Sequence, residues 1–163
     1  RLVAAIESEQ PDRVVLLGDL LYHGPRNDLP RDYAPKRVIP LLNALADRII
    51  AVRGNCDAEV DQMVLPFPVL ADYCLLESAG HLIYATHGHH FNEDHLPPLH
   101  PGDVLLHGHT HIPCRTLRDG VYVLNPGSVS IPKAGSWHGY MTLEDGVFTW
   151  KTLSGDVRDT LRL

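Results

Sequence analysis

The sequence predicts one domain of mixed α and β structure, and three observations lead there. The first half reads as strand, helix, strand. The second half is a run of short strands separated by turn residues. The composition is that of an ordinary globular chain: 163 residues, 44% hydrophobic and 21% charged, long enough to bury one substantial core.

The elements follow in order. Residues 2–9 place Leu2, Val3 and Ile6 in helical register before Pro11 ends the run. Residues 13–17 (RVVLL) are β-branched and apolar, a buried strand that stops at Gly18-Asp19. Residues 20–33 hold Gly24, Pro25 and Pro30 and read as a loop. Residues 35–46 put Val38, Leu41, Leu42 and Leu45 on one helical face, with Pro40 as an interruption. Residues 48–52 form the next strand, ending at Gly54-Asn55, and the spacing suggests a βαβ unit with parallel strands. Strands are then expected at 73–77, 81–86, 103–107, 114–118, 121–124, 139–143 and 147–152. Ser78-Ala79-Gly80, Asp119-Gly120 and Asp145-Gly146 supply the turns between them. No repeat or linker divides the chain, so residues 1–163 are read as a single domain.

Composition narrows the function. A formal net charge of −6 disfavours binding to nucleic acid backbones, which rests on neutralising phosphates. No apolar run approaches the ~20 residues of a membrane helix. Cys56, Cys74 and Cys114 are few and far apart, which suits reduced thiols in the cytoplasm. Histidine stands out, with 11 residues, several beside glycines in loops.

Those loops carry the chemistry. Residues 104–111 read VLLHGHTH, and a buried strand has no structural use for imidazoles at its tip. If the segment stays extended, His109 and His111 at i and i+2 face the same side. The same grammar recurs at Gly18-Asp19, at Gly54-Asn55 and at His87-Gly88-His89. Singly, each is also a turn, a helix cap or a core histidine. Four strand ends of one kind in one chain favour a ligand site instead. Asp19, Asn55, His87, His109 and His111 together offer a carboxylate, an amide oxygen and three imidazoles, a set that suits Mn²⁺, Fe²⁺ or Zn²⁺.

The motifs GDLLYHGPRN, AVRGNCD, ATHGH, GHTHIP and NPGSVSIPK resemble those of the calcineurin-like metallophosphoesterases, and within them the small bacterial phosphodiesterases. The resemblance implies an α/β fold of two stacked mixed β-sheets flanked by helices. It implies two divalent metal ions, Mn²⁺ foremost, with Asp19 bridging both. Asn55, His87 and His109 would complete one site, and His111 would serve the other. A small phosphodiester would be cleaved by attack of a metal-bridging hydroxide. Asn55 would act at the phosphate, with His89 a candidate proton donor. Cys56, Asp57, Asn125, Ser128, His23 and Arg26 would support the site or line the substrate.

Two departures accompany the resemblance. The wider superfamily carries histidine where Cys56 stands, although the closer subfamily has cysteine there. The family's first motif, an Asp-x-His after its first strand, does not occur, so the sequence is expected to be cut at the front with that strand missing. A metallophosphoesterase fold used as a scaffold for partner proteins, as in a retromer subunit, is the alternative reading. The substrate and the oligomeric state are left open.

Overall fold

The computed structural model describes residues 1–22 and 24–163. His23 falls outside the described residues. Helix α1 (Leu2–Glu9) buries Ala5 and Ile6 and ends at Gln10 in the left-handed conformation. Strand β1 (Val14–Leu16) pairs in parallel with β2 (Ile49–Ala51), and helix α2 (Pro35–Asn43) lies between them in sequence. The expected βαβ unit is present. α2 is shorter than its pattern, ending at Asn43 rather than 46. Its buried face is formed around Leu42, with Val38 and Ile39 partly buried. Leu41, expected on that face, is 50% exposed. A short helix α3 (Glu59–Gln62) follows β2, where no element was expected.

The second half forms two more sheets. Strands β3 (Tyr73–Ser78), β4 (His81–Thr86), β5 (Val104–Leu106), β6 (Cys114–Arg118) and β7 (Val121–Asn125) assemble in the order β3-β4-β5-β7-β6. The central strands β4, β5 and β7 run parallel, and β3 and β6 pair antiparallel at the edges. Strands β8 (Gly139–Glu144), β9 (Val147–Thr152) and β10 (Val157–Arg162) make an antiparallel sheet ordered β10-β9-β8. The three hairpin turns fall where Ala79-Gly80, Asp119-Gly120 and Asp145-Gly146 stand, all with positive φ, as a two-residue turn matched to strand twist requires. The α/β class holds. Hydrogen bonding, however, divides the strands into three sheets rather than the expected two, because β1–β2 and β8–β10 do not pair with each other.

β1 sits at the seam of the molecule. Its side chains alternate, as a period of two demands. Val14 and Leu16 pack with Ile6, Leu42, Ile49 and Phe67 under the helices. Val15 and Leu17 pack with Ile83, Leu106, Phe148 and Trp150 between the larger sheets. Strand 13–17 therefore shows no polar alternation, having an apolar contact on each side.

The far end of α1 is tied to the antiparallel sheet by Glu9. Its carboxylate accepts from Tyr140 Oη at 2.6 Å and from Lys151 Nζ at 2.8 Å. The hydrogen bond from Lys151 is the main cause that holds the Glu9 carboxyl below its ordinary value of 4.5, followed by that from Tyr140. A lowered folded pKa means that this stabilisation is complete above 4.5 and is lost as the pH falls through the folded value. Glu9→Gln should cost about 1 kcal/mol at neutral pH. It should also flatten the loss of stability below pH 4.5, as read from urea midpoints measured across that range.

Candidate metal centre

Two strand-end loops meet before any side chain is considered. Gly18 follows β1 with φ +89°, and a Cβ there would collide with the backbone of Gly54. A Cβ on Gly54 would collide in turn with Asp19. Only glycine lets the two backbones approach this closely. Asp57 fastens them. Its buried carboxylate accepts from the backbone N–H groups of Asp19 at 2.8 Å, Leu20 at 2.9 Å and Gly54 at 2.7 Å.

Four acceptor atoms from four loops then face one another. His87 Nε2 lies 3.1 Å from Asn55 Oδ1, 3.0 Å from His109 Nδ1 and 3.4 Å from Asp19 Oδ2. The ligand atoms of Asp19, His87 and His109 all fall within 4.8 Å of one another. The opposite nitrogen of His87, Nδ1, is 2.6 Å from the Leu17 carbonyl oxygen. A carbonyl only accepts, so Nδ1 carries the hydrogen and Nε2 turns to the cluster. Lone pairs facing lone pairs repel unless a proton or a cation lies between them. This donor set of two imidazoles, a carboxylate and an amide oxygen fits a divalent cation.

The electrostatics agree. Burial of His87 opposes its positive charge, but the Asp19 carboxylate and the Leu17 carbonyl outweigh burial and raise the imidazole above its ordinary range. Asp19 is likewise opposed by burial, yet His87 and the Cys56 backbone N–H, at 2.9 Å, hold its carboxyl low. Burial and then the charge of His87 push His109 down to about 4. Burial and then Lys133 lower His111.

The backbone here is strained. Asp19, His109 and His111 all adopt positive φ, at 54°, 62° and 61°. That overturns the expected extended course of 109–111. His109 and His111 are aimed by left-handed turns, not by strand alternation, and only His109 joins the tight group. His111 Nδ1 instead donates to the Ile131 carbonyl at 2.8 Å. Non-glycine residues in this region cost of order 1 kcal/mol each and cluster at functional sites.

The remaining predicted residues divide by position. His89 lies beside the cluster, its ring centroid 5.3 Å from that of His87 and 6.2 Å from that of His109. Its Nδ1 is buried without a hydrogen-bond partner among the described residues. Burial, then the neighbouring His90 and His87, lower its pKa. Cys56 Sγ accepts from Asn55 Nδ2 at 3.2 Å. Burial, then the Asp19 charge, push the thiol up to about 11, so it stays protonated at neutral pH. Arg26 acts electrostatically on both Cys56 and His109. Asn125 is wholly buried and is no wall for a ligand. Its Nδ2 donates to Gly108 O at 2.7 Å and to Thr110 Oγ1 at 3.1 Å, bracing the loop that carries His109. Ser128 Oγ accepts from Ile131 N at 3.0 Å and so fixes the carbonyl that orients His111. The carbonyls of Leu17 and Ile131 were not anticipated. Backbone groups leave no mark in a sequence.

Residues 1–145 match the calcineurin-like phosphoesterase superfamily domain. The chain belongs to that superfamily. It is 48% identical over 136 residues to phosphodiesterase YfcE of Escherichia coli K12, covering 83% of this chain and 74% of that protein. The solved structure of E. coli Yfce, a phosphoesterase, superposes with a TM-score of 0.93 at 41% identity, over 98% of this chain and 88% of the other. A Vps29 double mutant from Entamoeba histolytica, at 17% identity and a TM-score of 0.58 over 99% of this chain and 88% of its own, shares the fold alone. Among superfamily members the chemistry uses divalent metal ions, and the cluster around His87 fits one.

Asp57→Ala should leave three N–H groups of the two loops without an acceptor. At about 1–3 kcal/mol for each unsatisfied buried group, partly relieved by water, a loss of roughly 3 kcal/mol or more is expected in urea unfolding. Asp57→Asn should lose less, since one amide oxygen still accepts.

Proposed function

We propose that this protein is a metal-dependent phosphodiesterase acting on a small phosphodiester. One observation carries the reading. Asp19 Oδ2, Asn55 Oδ1, His87 Nε2 and His109 Nδ1 converge in a calcineurin-like phosphoesterase fold. The 48% identity to a protein named a phosphodiesterase supports the diester over the monoester.

Asp19, Asn55, His87 and His109 would hold one divalent ion. Asp19 and His111 would serve a second, and Mn²⁺ is the preferred occupant. Bound there, such ions supply Lewis-acid charge to phosphoryl oxygens and activate water. The protein's own residues do the rest. The Leu17 carbonyl keeps the proton of His87 on Nδ1, away from the centre. Asn55 keeps one amide N–H for a phosphoryl oxygen while the other meets Cys56. Arg26 adds positive charge on the side of Cys56. His89, beside the cluster, would pass a proton to the departing alkoxide. The cytoplasm is the proposed compartment, since Cys56, Cys74 and Cys114 are all free thiols. Among the described residues no helix is long and apolar enough to cross a membrane.

The scaffold reading is less favoured. A surface used only to bind partners has no need for an aspartate, an asparagine and two histidines whose ligand atoms converge.

Hydrolysis of bis(4-nitrophenyl) phosphate tests the proposal. Activity should vanish with a chelator and return best with Mn²⁺. Asp19→Asn should cost more than His89→Ala, whose loss should stay within the about 10²–10⁴-fold of a general acid–base group. The reverse order would remove Asp19 from the centre of the chemistry. Chelator-resistant activity would remove the metal.

A further inference from the structure

A cavity of about 200 Å³ opens directly beside Asp19. Residues 19–22 and 30–34, the start of α2 and Ser130 line it. Leu21, Tyr22, Tyr33 and Val38 give it apolar and aromatic walls. The Tyr33 ring is fixed, because its hydroxyl donates to the Leu21 carbonyl at 2.9 Å. Arg31 and Asp32 also touch the cavity, but their side chains are 96% and 88% exposed and pair with each other at 3.8 Å. Among the described residues, the interior is uncharged except at the Asp19 end.

We infer that this cavity seats one aromatic ester arm of the substrate while the phosphate lies at the metal centre. The inference rests on the phosphodiesterase reading and names the kind of diester it takes. Size is the first argument. A cavity of about 150 Å³ lined by apolar side chains holds benzene, so this one has room for a single ring. Wall chemistry is the second. Tyrosine faces favour offset or edge contacts with another ring beyond simple burial. Charge is the third. Among the described residues the interior offers an anionic arm no cationic partner, since the Arg31 side chain lies in solvent beside Asp32, which selects against a second phosphate. Position is the fourth. Asp19 belongs to both the metal centre and the cavity wall, so a ring in the cavity would neighbour a phosphate at the centre.

Calorimetric titration of the Mn²⁺-supplemented protein with diphenyl, dicyclohexyl and diethyl phosphate tests this. Diphenyl phosphate should bind at least tenfold more tightly than either of the others. Its ring should shift the methyl resonances of Leu21 and Val38. Val38→Trp should fill the cavity and bring the three affinities together. Ser130→Trp should do the same from the exposed rim, where a substitution does not strain the core. Equal binding of diphenyl and diethyl phosphate by the wild type overturns the inference. So does equal binding of dicyclohexyl phosphate, or an aromatic preference that survives Ser130→Trp. Hydrolysis of bis(4-nitrophenyl) phosphate without aromatic preference overturns the cavity's role alone. Aromatic preference without hydrolysis upholds the cavity and overturns the phosphodiesterase reading.

Discussion

One buried carboxylate sets the geometry of this molecule's site. Asp57 collects N–H groups from the loop after β1 and from the loop after β2. The parallel pairing of the two strands brings their ends level, but level ends alone do not place side chains. The carboxylate clamps the backbones at a distance that only Gly18 and Gly54 tolerate. Asp19 and Asn55 turn their side-chain oxygens toward His87 from these loops. A carboxylate is the right clamp, because two oxygens with several lone pairs can satisfy three donors at once.

Orientation of the imidazoles is left to main-chain carbonyls. Leu17 holds His87, and Ile131 holds His111. β1 therefore does double duty, delivering Asp19 at its end and turning His87 through the carbonyl just before it. The strand is gripped by a hydrophobic cluster on each side. A slip of one residue along β1 would exchange those faces and displace two candidate ligands together. Core packing and site geometry are thus one constraint.

Much of this was written in the sequence at the strand ends. A glycine flanked by Asp, Asn or His after an apolar run is a local pattern, and the four loops bearing it do converge. The course of residues 109–111 was not legible. Alternation is a rule for extended chain, and nothing in HGHTH announces two left-handed residues. Strand β10 was hidden for another reason. None of its residues is buried, and Asp159, paired with Arg115 at 3.2 Å from the neighbouring sheet, breaks the apolar alternation. Four-residue α3 is too short for a periodic signal, its start marked only by the Asp61 carboxylate on the Ala58 N–H. The division into three sheets depends on which edges pair, a property of assembly rather than of any segment. Asn125 and Ser128 read as supporting the site or lining the substrate, and the backbone groups they meet, the Gly108 carbonyl and the Ile131 N–H, are ones that residue patterns do not reveal.

The left-handed turns at Asp19, His109 and His111 also restrict how such a chain can change over evolutionary time. Positive φ is tolerated by asparagine, aspartate, histidine and glycine, and resisted by β-branched residues. Mutational drift at these three positions is therefore channelled. Valine, isoleucine or threonine would damage the fold, whereas asparagine or glycine would keep the backbone and discard only the chemistry. A lineage abandoning catalysis would reach an intact, inert shell by single substitutions, with the loops still presented to any partner. The backbone that serves a metal centre leaves that exit open.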